Sequence, residues 1–337
     1  MKKTIFSMTG VIVITLCLFA NCARPSAEKR PPLKIAISQW PGYALAFVAQ
    51  EKGLFAKHGV EVELVYRKGY PEARMLYENG EADGLFCVFA DVLFLNAEGM
   101  STKTVYVCDY SDTGDVIIAR PDILSLADLK GKKVGIEAVN NFSHIFVLTA
   151  LEKKGGLEEA DVQFKQVGAT ECLAALERGD IAAGHTWEPT KSEALKKGYQ
   201  VVCSAGEFPL LIVDVLAFRA GTIDGRPDDI RRVVAAMAEA RQYLRAHRDE
   251  AVAIMSRAEG MGTAEMEIGL AGVHLLDIGE NVEVFRKDGS EKSLCFFGKV
   301  IKEFYQKRGQ MSNAPDCDEA IDPRFVDAAA RERGGDT

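Results

Sequence analysis

The sequence predicts an α/β protein of two similar lobes, each a mixed, mostly parallel sheet covered by helices. Three observations lead there. Short apolar runs alternate with segments of helical periodicity, the order expected of parallel strands joined by crossover helices. The alternation occurs twice, at a spacing of about 100 residues. Two further apolar runs, one between the passes and one after the second, offer segments by which the chain crosses from lobe to lobe.

The first pass opens with Lys34-Ile35-Ala36-Ile37, where apolar and other residues alternate as in a strand. Pro41-Gly42 forces a turn, Ala44 to Lys52 reads as a helix, and Gly53 is placed to stop it. A strand at Val60 to Val65, a helix ending at Asn79-Gly80 and a strand at Ala82 to Phe86 complete the pass. The second pass repeats this order. Lys133 to Ile136 is followed by a helix ending at Lys154-Gly155, then Val162 to Val167, a helix ending at Arg178-Gly179, and Ile181 to Gly184. Val105 to Cys108, a polar turn at Asp109 to Asp115, and Val116 to Arg120 form the first crossing, and Leu210 to Phe218 the second. Beyond Pro227 the pattern is helical, with later helices near Thr263–Leu276 and Glu291–Gln306.

The chain has 337 residues and a net charge of −8, which becomes −8 − 2 = −10 without Lys2 and Lys3. An acidic chain without a basic block argues against nucleic acid as a partner. Lys2-Lys3, the apolar run Ile5 to Phe19 and Ala20-Asn21-Cys22 read as a signal peptide over 1–21. Leu18 to Cys22 is similar to a bacterial lipoprotein cleavage box, with Cys22 as the lipidated residue. A tether-like linker over 22–32 follows. Six other cysteines remain, and six allow 15 pairings among which the sequence does not choose. Most sit in apolar runs, as small buried thiols do. The expected organisation is 33–118 with 217–308 as one lobe, 119–216 as the other, and 309–337 as a poorly ordered tail.

Several motifs in fixed order carry a family resemblance. They are Trp40-Pro41-Gly42, Glu51-Lys52-Gly53-Leu54-Phe55, Gly80-Glu81-Ala82-Asp83, Leu126 to Val134, Leu176-Glu177-Arg178-Gly179-Asp180 and Thr186-Trp187-Glu188-Pro189. Over most of residues 33–305 the chain resembles the substrate-binding proteins of ABC importers that take aliphatic sulfonates, taurine, nitrate, bicarbonate or the thiamine-pyrimidine precursor. The resemblance implies a type II periplasmic-binding-protein fold with two hinge crossings and ligand in the inter-lobe cleft. It also implies a membrane permease and its ATPase as partners, an extracytoplasmic location, and no cofactor. The chain is expected to act as a monomer, tethered to the membrane by its lipid.

Ligands of open parallel sheets sit beyond the carboxyl ends of the strands. That rule selects Gln39, Trp40 and Tyr43 after the first strand, and Cys87, Ala90 and Asp91 after Leu85-Phe86. In the other lobe it selects Asn140, Asn141, Ser143 and His144, with Ser143 as a helix cap, and Thr186, Trp187 and Glu188. Asp115 lies at the first crossing and Asp214 within the second, where a buried carboxylate needs a partner. Carboxylates beside indoles suit a solute bearing an amino or amidine-like group, and helix starts at Gly42 and Ser143 suit an anionic end. Taurine, a sulfonate-like solute or an aminopyrimidine meets parts of this description. The motif for phosphate binding, HExxH and a Ser-His-Asp set are not legible, and the five histidines have no metal-like spacing. An enzyme akin to the thiamine-pyrimidine synthases is therefore disfavoured. A ligand-sensing subunit of a signalling complex is the other alternative.

Overall fold

Two sheets, each wrapped by its own helices, meet at a seam that both crossings traverse. The computed structural model describes residues 30–334, apart from 209–210, 289, 291, 310, 312 and 314–315. The signal peptide, Cys22, most of the linker and Leu210 lie outside the described residues. The strands in chain order are β1 (Leu33–Ile37), β2 (Val62–Tyr66), β3 (Gly84–Val88), β4 (Thr102–Ser111), β5 (Val116–Ala119), β6 (Lys133–Ile136), β7 (Gln163–Gln166), β8 (Ala183–Thr186), β9 (Gln200–Ser204), β10 (Val213–Arg219) and β11 (Val273–Leu275). One sheet has the order β11-β4-β10-β3-β1-β2 and the other β7-β6-β8-β5-β9.

In both sheets three strands at one side pair in parallel, β2-β1-β3 and β7-β6-β8, and the strands beyond them pair antiparallel. The repeated motif of the sequence is thus a repeated topology. β1 is buried at four of its five positions, so its inward and outward faces are both covered. The helix Leu45–Glu51 follows the Pro41-Gly42 turn, and Gly53 at φ +66° takes the left-handed conformation that ends it.

The expected lobe boundaries need two corrections. β5 pairs with β8 and β9, so residues 116–118 belong to the second sheet. β10 pairs with β3 and β4, so 213–216 belong to the first. The crossings are the short stretches 112–115 and 205–212. Two strands, β9 and β11, were not legible. Both are short edge strands, and β11 carries His274 between Val273 and Leu275.

The expected disordered tail is also corrected. Thr104 donates to the carbonyl of Ala320, Ile321 bridges to Thr104, and the helix Arg324–Gly334 packs against Pro227–Ala246. Apolar residues Phe325, Val326 and Ala329 are buried there, which a polar average over the segment conceals. The six described cysteines are all buried and free, and the thiols of Cys295 and Cys317 lie in contact. Among the described residues no helix is long and apolar enough to cross a membrane.

The helix Leu294–Gln306 spans the seam. Its Phe94–Tyr305 contact, 4.2 Å between centroids, holds it to the first lobe. Its far end reaches the second, where Tyr305 donates to the Asn141 carbonyl at 3.1 Å and Arg308 pairs with Glu152 at 2.5 Å.

One buried side chain stands in for a strand neighbour. Asn281 donates to the Val107 carbonyl at 2.9 Å and accepts from the Val107 N–H at 2.7 Å, beyond the end of β11. Asn281→Ala leaves both backbone groups buried without partners. We expect a loss of about 2–4 kcal/mol in urea unfolding; a change within 0.5 kcal/mol, the ordinary surface range of about that size, would show the pair to be solvated.

Candidate binding site

The carboxyl end of β1 meets the seam at Ser38-Gln39-Trp40, and a buried acid on a distant helix holds this loop. Glu259, 219 residues further on, accepts from the Trp40 backbone N–H at 3.0 Å, and its own carbonyl accepts from Gln39 Nε2 at 3.2 Å. Burial pushes the Glu259 carboxyl up to about 8, while the Trp40 N–H acts in the opposite direction. The Trp40 indole N–H then points at Asp109 on β4, 3.2 Å from each oxygen. Close approach at the turn depends on Gly42, since a Cβ there would stand 1.6 Å from Asp109 Oδ2.

Tyr43 donates its hydroxyl to Asp214 on β10. Asp214 lies close enough to Asp109 for the charge of each to bear on the other. Burial is the first cause that raises both acids. For Asp214 the charge of Asp109, then that of Asp115, adds to it. Asp115, at the first crossing, accepts from His185 Nε2 at 2.8 Å. Three carboxyl groups therefore converge at the seam, each held by a donor from an aromatic side chain.

Aromatic rings complete the enclosure. Trp40 of the first lobe and Trp187 of the second meet edge to face with centroids 6.1 Å apart. Tyr70 and Phe142 meet in the same manner at 5.0 Å. Between these rings and the carboxylates lies a small cavity of about 10 Å³.

The selected residues divide into three sets. Gln39, Trp40, Tyr43, Asp115, Trp187 and Asp214 line the cavity. Asp91 stands one layer behind and Ser143 two. Asp91 accepts from the Tyr70 hydroxyl and pairs with Arg74 at 3.3 Å, while Ser143 Oγ lies 2.8 Å from His185 Nδ1.

The remainder are corrections. Cys87 and Ala90 are buried in β3 and the helix after it, off the cavity wall. Asn140 sits at φ +64° with its N–H on His144 Nδ1. Asn141, not Ser143, caps the helix Phe142–Ala150 by accepting from the His144 N–H. The His144 ring packs on Phe164 and lies 3.5 Å from Glu159. Thr186 donates to the Ala169 carbonyl. Glu188 is occupied by Lys191 at 2.9 Å and by the Ser192 N–H.

Sequence reading missed Tyr70, Phe142, Ile212, Ser38 and Val88 on the wall, and Asp109 and His185 behind it. Ser38 lies beside residues already selected, and Val88 within the stretch after Leu85-Phe86. Phe142 precedes Ser143 at a helix start, so a wider window would have found it. Tyr70 opens a helix after β2 and carried no local signal.

The fold is the two-lobed periplasmic-binding-protein architecture, with a cavity at the seam between the lobes. The chain belongs to the NMT1-like family, whose model matches residues 26–257. It is 27% identical to the riboflavin-binding protein RibY of Chloroflexus aurantiacus, over 72% of this chain and 73% of that one. Among solved structures it is similar to the ligand-binding component of an ABC-type import system from Staphylococcus aureus, solved with zinc bound. There the TM-score is 0.74 at 16% identity, over 90% of this chain and 100% of that one. The periplasmic aliphatic sulphonate binding protein SsuA of Escherichia coli gives 0.69 at 20% identity, over 88% and 99%. These relatives are named as binding proteins, and the two structural likenesses carry the fold.

Two buried acids make stability depend on pH. Glu259 is raised to about 8 and Glu137, also by burial, to about 7, both from 4.5. The folded state therefore holds more protons than the unfolded one between these values, and stability falls as pH rises from about 4.5 to 8. The Glu259 shift corresponds to at most about 5 kcal/mol. Glu259→Gln keeps an acceptor for Trp40 and should flatten the fall in melting temperature between pH 5 and pH 8; an unchanged slope would assign the pH dependence to other groups.

Proposed function

We propose that this chain is the solute-binding subunit of an ABC importer, tethered outside the membrane through Cys22, and that it takes a small planar solute bearing an amino or amidine-like group. The observation that carries the ligand class is the polarity of the cavity wall. Asp115 Oδ2, Asp214 Oδ2 and Gln39 Oε1 are buried acceptors without an N–H donor, and Trp187 Nε1 is a donor without an acceptor. The lining holds no lysine, arginine or histidine. A ligand that complements it brings several N–H groups and one acceptor, as an aminopyrimidine does.

A sulfonate brings three acceptor oxygens to a wall of acceptors. The two helix starts that could hold such an anion are engaged by the chain itself. Asp109 lies against the Gly42 turn, and Asn141 accepts the free N–H at the second. Aminopyrimidine chemistry is therefore favoured over taurine or an alkyl sulfonate for this site. The rings make contacts that a flat solute replaces when the lobes part and close again: Trp40 with Trp187, Tyr70 with Phe142. Closure over the solute presents both lobes together, the arrangement a permease reads.

Calorimetry on the full chain with 4-amino-2-methylpyrimidine, taurine and methanesulfonate tests the ligand class. We expect binding of the first, with a melting temperature that rises with its concentration. Tighter binding of methanesulfonate would overturn the reading. Asp115→Asn and Trp187→Ala should each weaken the aminopyrimidine by about 10- to 100-fold, as loss of a charged hydrogen bond or a stacked ring does. For the anchor, Cys22→Ser should move the protein from the membrane fraction to the soluble one; equal partitioning of both forms would refute lipidation there.

A further inference from the structure

A Ser–His–Asp array crosses the second lobe, with its order reversed relative to a hydrolase. Ser143 Oγ stands 2.8 Å from His185 Nδ1, and His185 Nε2 stands 2.8 Å from Asp115 Oδ1. In a hydrolytic site the serine faces the substrate and the carboxylate is buried behind the imidazole. Here Asp115 lines the cavity and Ser143, fully buried, lies at the far end. The array cannot present a nucleophile to a bound molecule.

Its hydrogen bonds fit a neutral imidazole. Ser143 Oγ accepts from the Glu137 backbone N–H at 3.1 Å, and its hydroxyl proton is available to His185 Nδ1. A carboxylate can only accept, so Nε2 carries the imidazole proton and gives it to Asp115. Phe142, Phe146 and Trp187 pack edge-on around the imidazole with centroids 5.3–5.5 Å away, which prevents the ring from turning. The Asp115 backbone is fixed as well, its N–H donated to Ser111 Oγ at 2.9 Å and its carbonyl accepting from Ala205 N–H at 3.0 Å. Every bond of this residue is thus assigned except at Oδ2, a buried atom on the cavity wall that has no partner.

We propose that Ser143 and His185 are positioning residues for ligand binding: they lock His185 as the Nε2–H tautomer and thereby aim Asp115 Oδ2 at an N–H group of the solute. The inference rests on the proposed amine-bearing ligand for its purpose, and on the Ser143–His185–Asp115 geometry for its content. His185 acts through Asp115 and has no contact with the solute. Ser143, two layers back, sets the acceptor's direction by deciding which imidazole nitrogen holds the proton. Asp115 is thereby pre-organised, so that solute binding does not have to order it.

Long-range 1H–15N correlation on the full chain at neutral pH reads the tautomer without any ligand. The His185 signals should show Nε2 protonated and Nδ1 unprotonated, and Ser143→Ala should shift the Nδ1 resonance or mix the tautomers. In parallel, Ser143→Ala, assayed below its own melting temperature, should weaken 4-amino-2-methylpyrimidine by about 10-fold, and Ser143→Thr should restore part of the affinity. A protonated Nδ1 in the wild type overturns the proposal, as does undiminished affinity in Ser143→Ala. If the wild type has the expected tautomer yet binds none of the aminopyrimidine, the ligand class fails and the positioning array stands.

Discussion

Three carboxyl groups in one dry seam are the constraint around which this molecule is arranged. Burying Asp109, Asp115 and Asp214 together costs solvation and sets like charges against one another. The fold meets this with three aromatic donors, an indole from Trp40, a phenol from Tyr43 and an imidazole from His185. Each donor comes from an element whose position is otherwise determined: the β1 loop, the turn before the first helix, and β8. The acids and their partners thus couple the register of both sheets to the shape of one cavity.

That coupling explains why parts of the chain far from the cavity matter to it. Glu259 shapes the Trp40 loop from the end of a helix in the discontinuous half of the first lobe. Tyr305 and Arg308 hold the second lobe from a helix packed on the first.

The array behind Asp115 bears on how fold and function relate in this architecture. The same three residue types that carry acyl transfer elsewhere serve here, by reversal of their order, to hold an acceptor still. What distinguishes the two uses is which end faces the cavity. Residue identity and mutual distance do not decide it.

The lobes, the order of strands and helices and the Trp40 and Trp187 loops were legible in the sequence, because strand alternation, helix periodicity and turn residues act over a few neighbours. The cavity-lining roles of Gln39 and Tyr43 followed from the same strand-end rule. The rule over-selected at Thr186, Glu188, Asn140 and His144, whose side chains turn to local partners that only packing supplies. Tyr70 and Asp109, and the partnership of His185 with Ser143, could not be read. Each owes its place to residues tens to hundreds of positions away, such as the 70 between Asp115 and His185. Sequence alone thus determined most of the strands and where the cavity-lining loop after β1 starts. Tertiary structure alone decided which side chains converge, since convergence depends on the register of β4, β8 and β10 against one another.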